Sequence, residues 1–108
     1  MKVFSAASLG LALACAGAAA QDRAPQFSPE QIKKGAGLFA RNCATCHGTR
    51  MRNPQWATDL RTFPHDARAR FVDSVTYGKR NMPSWDDVLK PDDVEALWAY
   101  VVAGEPGN

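Results

Sequence analysis

The 108 residues are 45% hydrophobic and 22% charged, with a formal net charge of +2. That is enough chain for one small domain and too little for two independent cores. Ordinary Gly, Pro and charge content exclude collagen-like, coiled-coil and disordered classes, and so weak a positive balance excludes a nucleic-acid binder that works by bulk electrostatics.

The chain opens on an export pattern. Lys2 supplies the positive start, Val3 to Ala14 are apolar and small, and Ala18-Ala19-Ala20 has the small-x-small form of a cleavage site. This predicts a signal peptide over residues 1–20 and a mature domain over 21–108, exported to the periplasm. Lipid attachment at Cys15 is the alternative, although Ala12-Leu13-Ala14 fit the order of a lipoprotein signal poorly. No apolar run in the mature chain reaches the ~20 residues that span a bilayer. Cleavage leaves two cysteines, Cys43 and Cys46, in one short segment. Without long-range disulfides, so small an exported domain needs another source of core.

Phe27-Ser28-Pro29-Glu30-Gln31-Ile32 is a dense helix start, with Ser28 as cap, Pro29 in the first turn and Gln31 placed for a capping box. Ile32, Gly35, Ala36, Phe39 and Cys43 continue an apolar or small stripe, predicting an amphipathic helix over about 29 to 42. Gly35 in a helix interior asks for a close neighbour. Residues 43 to 47 then read Cys-Ala-Thr-Cys-His. This C-x-x-C-H spacing lets two thiols on one turn add to the two vinyl groups of a haem and puts His47 beneath the iron. A thioredoxin-like pair would need a βαβ pattern, a zinc site would need more ligands than His65 offers, and a disulfide would leave His47 unexplained.

Residues 48 to 66, with Pro54 and Pro64, read as irregular chain wrapped around something. Ala67, Phe71, Val72 and Val75 predict a short helix over about 67 to 77, closed by Gly78. Pro91 and the acids Asp92, Asp93 and Glu95 start a last helix with Val94, Leu97, Trp98, Val101 and Val102 on its apolar face, ending at Gly104. Lys90 stands there as a poor cap. No segment alternates as a strand does.

Three side chains compete for the second axial position of a haem iron. Met51 lies four residues beyond His47, on the same side. His65 fits a solvated turn residue. Met82, before Pro83, sits in a loop long enough to reach the opposite face. Trp56 and Arg61 offer N–H donors for haem propionates, with core packing and a solvated charge as their respective alternatives.

The order of helix, C-x-x-C-H, proline-bearing loop, short helix, Met-Pro loop and aromatic last helix resembles the class I c-type cytochromes, over residues 28 to 104. The stretch Gly78 to Trp85 and the following Asp87-Val88-Leu89 are similar to small cytochromes and fused haem domains that serve periplasmic dehydrogenases, quinoprotein alcohol dehydrogenases among them. The resemblance implies an all-α fold, with first and last helices crossing through Gly35, Phe39, Leu97 and Tyr100 and loops wrapped around one covalent haem c. It implies His47 and Met82 as axial ligands, and the Pro54 carbonyl as acceptor for the His47 ring. A filled coordination sphere implies a monomeric electron carrier and not an enzyme, working between a dehydrogenase and an oxidase or another cytochrome. A haem subunit fixed in a dehydrogenase complex, or a haem enzyme or gas sensor in which Met82 is displaced, are the alternatives. Eleven basic residues against four acidic lie in 23–80, and one against six in 81–108. By the resemblance, Arg41, Arg50, Arg52, Lys79 and Arg80 would ring the exposed haem edge and attract an acidic partner.

Overall fold

The computed structural model describes Val3, Gly10 and residues 27–106. The expected cleavage site after Ala20, and all of the expected signal peptide but Val3 and Gly10, lie outside the described residues. The first helix, α1, spans Pro29–Asn42, and its start is the one the sequence predicts: the Gln31 N–H donates to the Ser28 hydroxyl at 3.1 Å. Its core-facing residues are Gly35, Leu38 and Phe39, with Ile32, Ala36 and Cys43 half-buried beside them. Leu38 was not on the predicted stripe; it enters the core because the helix also packs on the loop that follows it.

One residue of turn separates α1 from α2 (Ala44–His47). Single helical turns of 3₁₀ type follow at Thr49–Met51 and Leu60–Thr62. Helix α3 spans Arg68–Tyr77 and α4 spans Pro91–Ala103. No strand occurs among the described residues; Lys79 and Met82 form an isolated bridge. The architecture is all-α, as expected.

Helix α4 is buried nearly all round, with Ala96, Ala99 and Tyr100 added to the predicted face. It packs against α1, α3 and the Leu60–Thr62 turn, so no single stripe suffices. The α1–α4 crossing is tight: a Cβ on Gly35 would lie 1.9 Å from the Ala96 carbonyl oxygen. Phe39 and Tyr100 meet across the same crossing as a tilted ring pair with centroids 5.4 Å apart. On the other side of α4, Trp98 meets Phe63 and Phe71 at 6.0 and 5.2 Å. Lys90 supplies no side-chain acceptor, but its own N–H donates to the Asp93 carboxylate at 2.9 Å, which is half of a capping box. Asp93 also pairs with Lys34 of α1 at 3.1 Å.

Candidate haem-binding site

The Cys43–His47 segment grows directly from α1. The Cys43 N–H donates to the Phe39 carbonyl at 2.8 Å, and the His47 N–H donates to the Cys43 carbonyl at 2.9 Å. Cys43 thus closes one helix and opens the next. Both thiols are free and half-buried. A spacing of three residues in helical chain puts them on one face, a turn apart. Burial, and then the neighbouring Cys46, push the Cys43 thiol up to about 11.

The His47 ring is held at Nδ1, 2.9 Å from the carbonyl oxygen of Thr58. A carbonyl only accepts, so Nδ1 carries a proton, and in the neutral ring Nε2 is then the nitrogen that can ligate. This corrects the reading that gave the bond to Pro54. Pro54 is half-buried four residues earlier, and the loop must run on to Thr58 before its carbonyl meets the ring.

That loop is tightly wound. A Cβ on Gly48 would lie 1.7 Å from the Arg52 carbonyl oxygen. Arg50, Met51 and Asn53 all hold left-handed backbone, with φ of 57°, 63° and 53°. Met51 is fully buried, a core methionine. Trp56 is 62% exposed, so it is not the core residue that was its alternative reading. Arg61 is bound to Asp59: Nε donates to Oδ1 at 3.1 Å and one terminal nitrogen to Oδ2 at 3.0 Å. Asp59 Oδ1 also accepts the Arg61 backbone N–H at 3.0 Å. These bonds from Arg61 hold the Asp59 carboxyl below its usual range. Thr58 and Asp59 are the residues sequence reasoning missed. A backbone acceptor has no side-chain signature, but Asp-Leu-Arg at 59–61 could have been read as a capped turn.

Met82 is presented by a two-residue hairpin. The Met82 N–H donates to the Lys79 carbonyl at 2.9 Å, and the Lys79 N–H donates back at 3.0 Å. Arg80 takes the left-handed turn position, φ 55°, usually given to Gly or Asn. The hairpin is tied to α3 by the Trp85 N–H, which donates to the Val75 carbonyl at 3.0 Å, and by the Ser84 hydroxyl, which donates to the Thr76 carbonyl at 2.6 Å. Met82 itself is half-buried against the hydrophobic cluster. His65 is exposed in the turn before α3, and Tyr77 is 73% exposed. Two thiols a turn apart, an oriented imidazole and a thioether on a braced hairpin are a donor set that suits haem c.

The comparisons with known proteins agree. Residues 30–101 match the family described as cytochrome C oxidase, cbb3-type, subunit III. A cytochrome c6 from Nostoc sp. is 31% identical over 94% of this chain and 91% of its own length. The quinohemoprotein alcohol dehydrogenase ADH IIB of Pseudomonas putida is 36% identical over 78% of this chain. The cbb3-type oxidase subunit FixP of Azorhizobium caulinodans is 39% identical over 72%. The chain spans only 13% and 28% of those two larger proteins. It therefore belongs to the class I c-type cytochromes, whose members carry one covalent haem c and work by haem-based electron transfer.

Proposed function

We propose that this chain carries single electrons in the periplasm, from a dehydrogenase to an oxidase or another cytochrome. Cys43 and Cys46 form the two thioethers, and His47 Nε2 and Met82 Sδ are the axial ligands. When bound, the haem supplies a one-electron Fe(III)/Fe(II) couple, and a thioether opposite a histidine favours the reduced state relative to two histidines. The chain's part is to hold the ring and the thioether so that they need not move when charge changes. The observation that carries the reading is the orientation of His47: its Nδ1–H bond to Thr58 leaves the ligating nitrogen fixed. The brace from Val75 to Trp85 does the same for the Met82 loop. Trp56 and Arg61 remain within the same loop as candidate partners for the propionates, although Arg61 is also committed to Asp59.

Met82→Ala tests the ligand set. It should remove the weak far-red band of Met-ligated ferric haem, lower the reduction potential, and allow carbon monoxide to bind the reduced protein. His65→Ala should do none of these. The reverse pattern would assign the ligand to His65. Carbon monoxide binding by the wild type as isolated would favour a sensor or enzyme.

A second reading is supported by the two larger relatives, of which this chain matches only a part. In it the chain is a haem subunit held stably by a dehydrogenase. Co-purification with a large subunit that survives high salt would favour it over the free carrier.

A further inference from the structure

The Asp59–Arg61 pair lies one residue from the carbonyl that holds the His47 ring, and no part of the proposed coordination accounts for it. Five bonds converge on Asp59, one of them from the Thr62 N–H to its carbonyl at 3.3 Å. Its Oδ1 accepts from the Arg61 N–H and Nε, its Oδ2 accepts from the Arg61 terminal nitrogen, and its carbonyl accepts from the Thr62 hydroxyl at 3.0 Å. The turn they close, Leu60–Thr62, is anchored by Leu60, which is buried in the core. The Thr58 carbonyl belongs to the peptide plane that joins Thr58 to Asp59. That plane is rigid, so once Asp59 is held only its own φ, −72°, decides where the Thr58 oxygen points.

We propose that Asp59 and Arg61 are positioning residues that set the reduction potential by aiming the Thr58 carbonyl at His47 Nδ1. The inference rests on His47 as axial ligand. A well-aimed acceptor at Nδ1–H makes the imidazole a stronger donor through Nε2, which favours the ferric state and lowers the potential. Loosening the turn lengthens or bends that bond. The ring then donates less, and the potential rises.

The pair's two charges make the idea separable from plain electrostatics. If Asp59 and Arg61 acted only through space, removing the negative charge would raise the potential and removing the positive charge would lower it. The same opposite signs hold if Arg61 chiefly neutralises a propionate. If they act as one clamp, Asp59→Asn and Arg61→Gln shift the potential upward alike, and the double variant shifts it no further than either single one.

The experiment measures the potentials of the wild-type holoprotein, the two single variants and the double variant, at fixed ionic strength. It also follows the ring signals of ¹⁵N-labelled His47 by NMR. Support consists of same-sign, non-additive upward shifts, with exchange of the Nδ1 proton faster by about tenfold. Opposite-sign, additive shifts with unchanged proton exchange would overturn the clamp. His47 ring signals lacking hyperfine shifts in the wild type would overturn the axial assignment instead, so the two failures are distinct. Should Asp59→Asn fail to mature, Asp59→Glu with Arg61→Lys tests the same geometry. Those two keep both charges but break the bidentate fit, and should still raise the potential if the clamp operates.

Discussion

The hydroxyl of Tyr100 donates to the Glu105 carboxylate at 2.7 Å, and Glu105 also faces Arg50 at 3.7 Å. Burial, and then the Glu105 carboxylate, raise the Tyr100 phenol well above its ordinary value near 10. A raised value means that the folded protein holds this proton when the unfolded chain has begun to lose it. The stability it contributes is complete below pH ~10 and declines as pH rises beyond that. Tyr100→Phe should therefore be less sensitive than the wild type between neutral pH and pH ~11, measured by denaturant midpoints across that range. Asp93 works in the opposite sense. The Lys90 N–H, and then Lys34, hold its carboxyl below the usual value, so its contribution is present at neutral pH and lost on acidification below pH ~4.

At the scale of elements, the crossing of α1 and α4 decides the fold. An alanine usually stabilises a helix relative to glycine by ~1 kcal/mol. Gly35→Ala should do the reverse, destabilising by at least ~1–3 kcal/mol, because its Cβ would meet a backbone carbonyl that cannot turn away. Gly37→Ala is the internal control. Its Cβ would meet only the flexible end of Arg41 at 3.3 Å, so the helical gain should survive. Guanidinium unfolding of the ferric holoprotein compares the two. The three longer helices were legible because their signals are local: Ser28 and Pro29, the Asp92–Asp93 start after Pro91, and closure by Gly78 and Gly104. The loops were less legible. Arg50, Met51, Asn53 and Arg80 occupy left-handed backbone without a glycine to announce it. The Thr58 carbonyl was invisible for a different reason, since any residue supplies one. The motif itself, Cys43 to His47, needed only its spacing.

For the molecule as a whole, two consequences concern the cofactor and the partner. The domain is short and has no long-range disulfide among the described residues, so the haem should be part of the core that folds it. Cys43→Ser combined with Cys46→Ser should leave a chain with little helix by circular dichroism; native helix content in that variant would show that the protein core suffices. The charge is also divided. Glu30, Asp92 and Glu95, with Lys34 as the one base among them, line a groove where α1 and α4 begin, whereas Arg50 and Arg52 line another beside Ala44 and Thr45 of the motif. If the basic side receives the donor, haem reduction should slow as salt approaches 0.15 M, where the Debye length is ~8 Å. Reversal of Lys79 and Arg80 to Glu should slow it further, with little change in the optical spectrum. A rate indifferent to both would point to apolar docking.

The partnership of α1 with α4 also sets a timetable. A chain is made from its N-terminus, and the helix that completes the α1 interface ends at Ala103, fifty-six residues after His47. A chain exported N-terminus first keeps that order, which leaves an interval before α4 arrives. Throughout it, α1 has no α4 to lie against, and Gly35 and Phe39 face solvent or a chaperone. Cys43, half-buried once α4 arrives, is open to a maturation enzyme until then. The fold is thus closed by α4, and the attachment turn is displayed before it is enclosed.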